Sequence, residues 1–144
     1  MSEPGSEEEI EEIRSALWPG DDFRLTWGAE FLEGLAKALP EHAGLSGMLG
    51  GLYTDLGRYE EALAADERTV ALDPSSAEAW YNLGCSQSLL GRAGDAYRSI
   101  SRAIELGFDD GEAMEKDEDL EFLRRGPLYG KLLRAMAAKG RKED

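Results

Sequence analysis

At 144 residues the chain is long enough to bury one compact core and too short for two. Apolar residues make up 42% and charged residues 32%, and thirty Asp and Glu against sixteen Lys and Arg leave a net charge of -14. A surface of that sign repels phosphate backbones and anionic lipid heads, so it argues against nucleic acid and membranes and for a neutral or basic segment of another protein. A single cysteine, Cys85, permits no internal disulfide and fits a reducing compartment. No apolar run approaches the roughly 20 residues of a membrane span, and the first residues carry neither the basic nor the apolar region of a secretory leader. The expectation is a cytoplasmic protein forming one domain over residues 1–144.

Residues 1–5 read as disordered. Residues 6–17 (SEEEIEEIRSAL) read as a helix with acids in its first turn, where the macrodipole favours them. The acidity of the chain peaks there, at Glu7, Glu8, Glu9, Glu11 and Glu12. Trp18-Pro19-Gly20-Asp21-Asp22 breaks the pattern. Residues 26–39 (TWGAEFLEGLAKAL) read as a second helix, with Phe31, Leu32, Leu35 and Leu39 as its apolar stripe.

Two segments then superpose without gaps at an offset of 34 residues, the spacing of Pro40 and Pro74. In residues 43–76 and 77–110, Leu49-Gly50 falls on Leu83-Gly84, Leu56-Gly57-Arg58 on Leu90-Gly91-Arg92, Ala62 on Ala96 and Leu72 on Leu106. Trp80, Leu83, Gly84 and Gln87 share one helical face by their spacing. Gly50 and Gly84 suit the close approach of a second helix, Gly57 and Gly91 suit left-handed helix ends, and Ser75-Ser76-Ala77-Glu78 has capping-box spacing.

This pattern strongly resembles the tetratricopeptide repeat, a two-helix unit with Trp, Leu-Gly, Tyr, Ala and Pro at fixed points. It departs at Ser46, where Trp80 has its aromatic, at Asp66 and Gln87, where an aromatic and a Tyr are usual, and at Phe108, which replaces the terminal Pro. The resemblance implies an all-α solenoid of stacked antiparallel helix pairs: residues 6–42 a degenerate first repeat, 43–76 and 77–110 two full repeats. Residues 111–139, read as two short helices at about 111–125 and 127–139, resemble a terminal module of many bacterial tetratricopeptide proteins. They would cap the solenoid, with Gly140 as the stop and 140–144 disordered.

No catalytic set converges. His42 and Cys85 lie one repeat apart without a third group, no Cys/His set for zinc exists, and the acids Asp109, Asp110, Glu112 and Asp117, Glu118, Asp119 lack the calcium-loop pattern. No cofactor and no metal are expected, and the chain does not read as an enzyme. The resemblance instead implies a concave groove lined by Gly44, Gly47, Gly51, Thr54 and Asp55 of the first full repeat. The second contributes Glu78, Tyr81, Asn82, Cys85, Ser88 and Leu89. Tyr81 is either an amphipathic anchor for a ligand or packed beneath a terminal helix. The three glycines ask for a close neighbour, the chain's own N-terminal helix ahead of a ligand peptide. A carboxylate-tail clamp is disfavoured, since Gly47, Gly51 and Glu78 stand where such clamps hold cations and only Asn82 matches. An interaction module or adaptor leads, followed by a small acidic secretion-type chaperone holding a client, then an enzyme with an acidic site near Asp109–Asp119. A homodimer burying the N-terminal end stays open.

Overall fold

The computed structural model describes residues 6–9, 12 and 21–143. Among these the chain is helical throughout, with no strand. The elements are α1 (Asp21–Ala38), α2 (Ala43–Asp55), α3 (Tyr59–Leu72), α4 (Ala77–Leu89), α5 (Ala93–Glu105), α6 (Gly111–Lys116), a 3-10 turn (Glu118–Leu120), α7 (Glu121–Arg125) and α8 (Leu128–Glu143). Contacts follow chain order: α1 on α2, α2 with α3, α3 on α4, α4 with α5, then α7 and α8 against α5. That is the one-dimensional stacking of a solenoid.

Each full pair is reversed by a three-residue turn, and the turn chemistry explains why. Gly57 and Gly91 adopt φ of 74° and 73°, which a side chain would strain. Beyond each, Arg58 N–H donates to the Tyr53 carbonyl at 2.8 Å and Arg92 N–H to the Gln87 carbonyl at 2.9 Å. This is the six-to-one closure that satisfies the last carbonyls of a helix. At the start of α4 the cap is Ser76, whose Oγ accepts from Ala79 N–H at 3.1 Å. The capping-box spacing from Ser75 to Glu78 is not used, because Ser75 instead donates to Asp73 at 3.1 Å.

The interior is layered. Ala29 and Leu32 of α1 meet Leu49 and Tyr53 of α2 and Ala62 of α3. Leu63 and Val70 of α3 meet Ala79 and Leu83 of α4, with Trp80 packed alongside and its Nε1 donating to the Pro74 carbonyl at 2.9 Å. Ala96, Ile100 and Ile104 of α5 meet Met114, Leu120, Leu123 and Leu132. These last four are fully buried, so the segment after α5 covers the apolar face of the last pair.

Three local expectations change. The helix before Pro40 starts at Asp21 rather than Thr26, and of its expected stripe only Leu32 is buried and Leu35 half-buried. Phe31 and Leu39 are 54% and 53% exposed, because α1 is described with a neighbour on one side only. The segment expected as one helix at 111–125 is broken at Asp117, whose extended backbone (φ -73°, ψ 113°) starts the 3-10 turn. Gly140 does not stop the last helix, which runs through it to Glu143. The expected helix over residues 6–17 falls largely outside the described residues.

Within each pair the bare α-carbons set the helix separation. A Cβ on Gly84 would run into the Ile100 side chain and stand 3.3 Å from the Ala96 carbonyl, whereas one on Gly51 meets nothing within 4 Å. Gly84→Ala therefore destabilises by about 1–2 kcal/mol despite its better helix propensity. Gly51→Ala stabilises by about 0.5–1 kcal/mol. Urea denaturation of both variants reads the contrast directly.

Candidate functional site

Helices α2 and α4 stand side by side over α3 and leave a groove between them. One stretch, a hollow of about 330 Å³, is lined by Gly44, Gly47 and Met48 of α2, by Thr69 of α3 and by Glu78 and Asn82 of α4. The next, about 210 Å³, is lined by Gly51, Thr54 and Asp55, by Asn82, Cys85 and Ser86, and by Asp66, Asp117 and Asp119. Asn82 is common to both, so they form one trough. Its α2 wall is nearly bare backbone. Helix α1 packs on α2 through Gly28 against Leu52, and the N-terminal helix expected over these glycines, read at residues 6–17, lies largely outside the described residues.

Of the residues expected in the groove, Gly47 and Glu78 line the outer stretch, Gly51, Thr54, Asp55 and Cys85 the inner one, and Asn82 both. Thr54 turns its hydroxyl back to the Gly50 carbonyl at 3.0 Å. Tyr81 and Ser88 line neither. The Tyr81 ring stacks on Phe108, centroids 4.4 Å apart, and its hydroxyl donates to Asp117 Oδ2 at 2.7 Å. Ser88 is buried, its Oγ accepting from Leu123 N–H at 3.3 Å. Both side chains are engaged by the segment that covers the end of the stack.

Asp117 organises the inner end. Its Oδ1 accepts from Asp119 N–H at 3.0 Å and fixes the 3-10 turn. Its Oδ2 accepts from Tyr81 and, at 3.6 Å, from the Cys85 thiol. Arg124 donates to the carbonyls of Met114 and Asp117 and draws the two short helices together. Ligand atoms of Cys85, Asp117 and Asp119 come to lie within 4.8 Å of one another, a constellation the separate sequence clusters did not reveal. Burial and the two carboxylates push the Cys85 thiol upward, so at neutral pH it stays a thiol and a poor nucleophile. Burial, with Asp117 and Asp55, raises Asp119 as well. The lining of this stretch includes Asp55, Asp66, Asp117 and Asp119 and, among the described residues, no Lys, Arg or His.

Asp66 was legible only as a departure from the repeat pattern. It is 3% exposed beneath Gly50, and Ser86 donates to its Oδ2 at 2.5 Å. Burial raises its pKa from 3.8 to about 6, with the Ser86 hydrogen bond opposing. Between those values the folded state holds the extra proton, so stability is gained below pH 4 and lost as pH rises to about 6. The gap corresponds to about 2–3 kcal/mol. Asp66→Asn removes this dependence: relative to the variant, the native protein loses about that much between pH 4 and 7. Urea midpoints across that range measure it.

Comparison with protein families agrees with this geometry. A TPR-repeat model matches residues 50–91, and a tetratricopeptide-repeat model matches residues 77–109. No curated protein matches the chain. The two overlapping matches run from the middle of α2 to the end of α5, the helices that form the groove, and they show that residues 50–109 are built of tetratricopeptide repeats, units that serve protein–protein interaction.

Proposed function

We propose that the protein is an adaptor that binds a basic segment of a partner protein in the trough between α2 and α4. The observation that carries this reading is the sign of the inner stretch, where Asp55, Asp117 and Asp119 border the hollow without a cation among the described residues. A lysine or arginine side chain placed there offsets carboxylates that repel one another, a repulsion that Asp117 and Asp55 add to the burial that raises Asp119. The bare wall at Gly47 and Gly51 lets a peptide backbone approach α2 closely, and Asn82 offers an amide to either stretch.

The groove chemistry favours an adaptor over a chaperone that holds unfolded clients. Apart from Met48, Cys85 and two alanines, Ala43 and Ala79, its lining is glycine, small polar and acidic. The large exposed apolar residues Trp27, Phe31, Leu39 and Phe122 lie outside it. The same acidity disfavours a partner's carboxylate tail.

A peptide array screened with the full chain tests the reading. Bound peptides should be rich in Lys and Arg, and the tightest should bind the Asp55→Lys plus Asp119→Asn variant at least about tenfold more weakly. Affinity should also fall with added salt. Acid-rich selected peptides, or equal affinity for the variant, would overturn the proposal.

A further inference from the structure

Ser46 stands where the next repeat has Trp80, and the exchange leaves a space behind. Trp80 packs beside Val70 of α3 and Leu83 of α4, and its Nε1 donates to the Pro74 carbonyl at 2.9 Å. One repeat earlier, the positions of Val70, Leu83 and Pro74 are held by Ala36, Leu49 and Pro40. These three line a hollow of about 390 Å³ between α1, α2 and α3, together with the buried Ser46 and Ala65. Two of the side chains that would fill it are truncated, Trp to Ser and Val to Ala. A hollow of this size falls in the range of ligand pockets, about 300–1,000 Å³.

The polar side of the hollow differs in step. Arg68, which lines it, is the repeat equivalent of Arg102. Arg102 donates to Glu105 one turn on at 2.9 Å, whereas Arg68 has Ala71 at that place and donates to the Pro40 carbonyl. The carbonyl that an indole engages in one repeat is thus met by a guanidinium in the other. A carbonyl oxygen has two lone pairs, so Pro40 can accept a second donor. The guanidinium beside it offers a cation to an aromatic ring. Pro40 also borders a second hollow of about 370 Å³ with Ala38, Leu39 and His42, where Leu39 is more than half exposed. The two hollows therefore adjoin, one deep enough to hold a ring and the next an apolar shelf.

We propose that the hollow at Ser46 is a socket for a tryptophan side chain of a partner protein. The indole takes the place that Trp80 takes in the next repeat, its ring against Ala36, Leu49 and Ala65 and its N–H on the Pro40 carbonyl. Arg68 lies against the ring. An indole joins a large apolar face to one N–H donor, and the socket offers a partner for each. The residues that flank the tryptophan run over Leu39, which is why the occupant is a chain segment rather than a free indole. The socket shares no lining residue with the α2–α4 trough, so it stands or falls separately from the groove reading.

Titrating N-acetyltryptophanamide into the isotope-labelled full chain, followed by amide NMR signals, tests this. The signals of Ala36, Ser46 and Ala65 should shift and saturate. N-acetylleucinamide, and the tryptophan amide methylated on its ring nitrogen, should bind at least about threefold more weakly. A short peptide with one tryptophan flanked by leucines should bind more tightly than the lone amide, and its alanine counterpart should not bind. Ser46→Trp fills the socket from within, so it should weaken the amide about tenfold or more and raise the urea midpoint. Arg68→Ala keeps the apolar wall and should weaken the amide about threefold. It decides the matter should circular dichroism show Ser46→Trp unfolded. Absence of saturable shifts, shifts centred on Trp27 and Phe31, or equal binding of the leucine amide overturns the proposal. So does undiminished binding by Arg68→Ala or by folded Ser46→Trp. A peptide no tighter than the lone amide overturns the partner segment in favour of a free indole.

Discussion

One bare α-carbon in each pair sets how closely its two helices approach. At Gly84 the Ile100 side chain of α5 fills the space a Cβ would take, and at Gly50 the Asp66 carboxylate of α3 does the same. These positions are equivalent in the repeat, yet the two pairs fill them with opposite chemistry. Ile100 adds apolar contact and joins the core shared with Met114, Leu120 and Leu123. Asp66 instead places an ionisable group under the groove, tied across the layer to Ser86 of α4. The pair built on Asp66 gives up apolar contact and gains a buried polar link beside the groove.

The segment after α5 does two jobs with one residue. Covering the last pair requires a chain reversal between α6 and α7, and Asp117 makes it by capping the 3-10 turn. A capping aspartate has a second oxygen to place, and here it receives Tyr81 and Cys85 from the helix that lines the groove. The solenoid's end is thereby fastened to its concave face by hydrogen bonds as well as by buried leucines. Asp119 arrives at the groove by the same turn. The acidity of the inner stretch is thus partly a by-product of how the stack is closed.

Periodicity makes the fold readable, and it also marks where reading stops. The 34-residue register of Leu-Gly, Gly-Arg and Ala places α2 to α5, because each of those residues answers a contact inside the repeat itself. The cap at Ser76 and the run of α8 through Gly140 escape it for a local reason: capping spacing and glycine punctuation fit more than one residue, and tertiary contacts choose among them. Phe31 and Leu39 read as core because helical spacing says which residues share a face, not whether another element covers it. Asp117 and Asp119 read only as acids without a calcium-loop pattern. Nothing within ten residues of them signals Tyr81 or Cys85, since those contacts span more than thirty residues of chain.

Charge links these features. Asp55, Asp66, Asp117 and Asp119 converge because separate needs placed them: a helix C-terminal turn, a buried link to Ser86, a turn cap and a position inside that turn. Repulsion from Asp117 and Asp55 adds to the burial that raises Asp119. A cationic ligand reverses that effect. It gains the attraction of the carboxylates and removes a repulsion already present in the free protein, so the same charges that weaken the empty groove strengthen the filled one. Partial burial makes the effect larger at Asp119 than on the open surface, where solvent and salt would screen it.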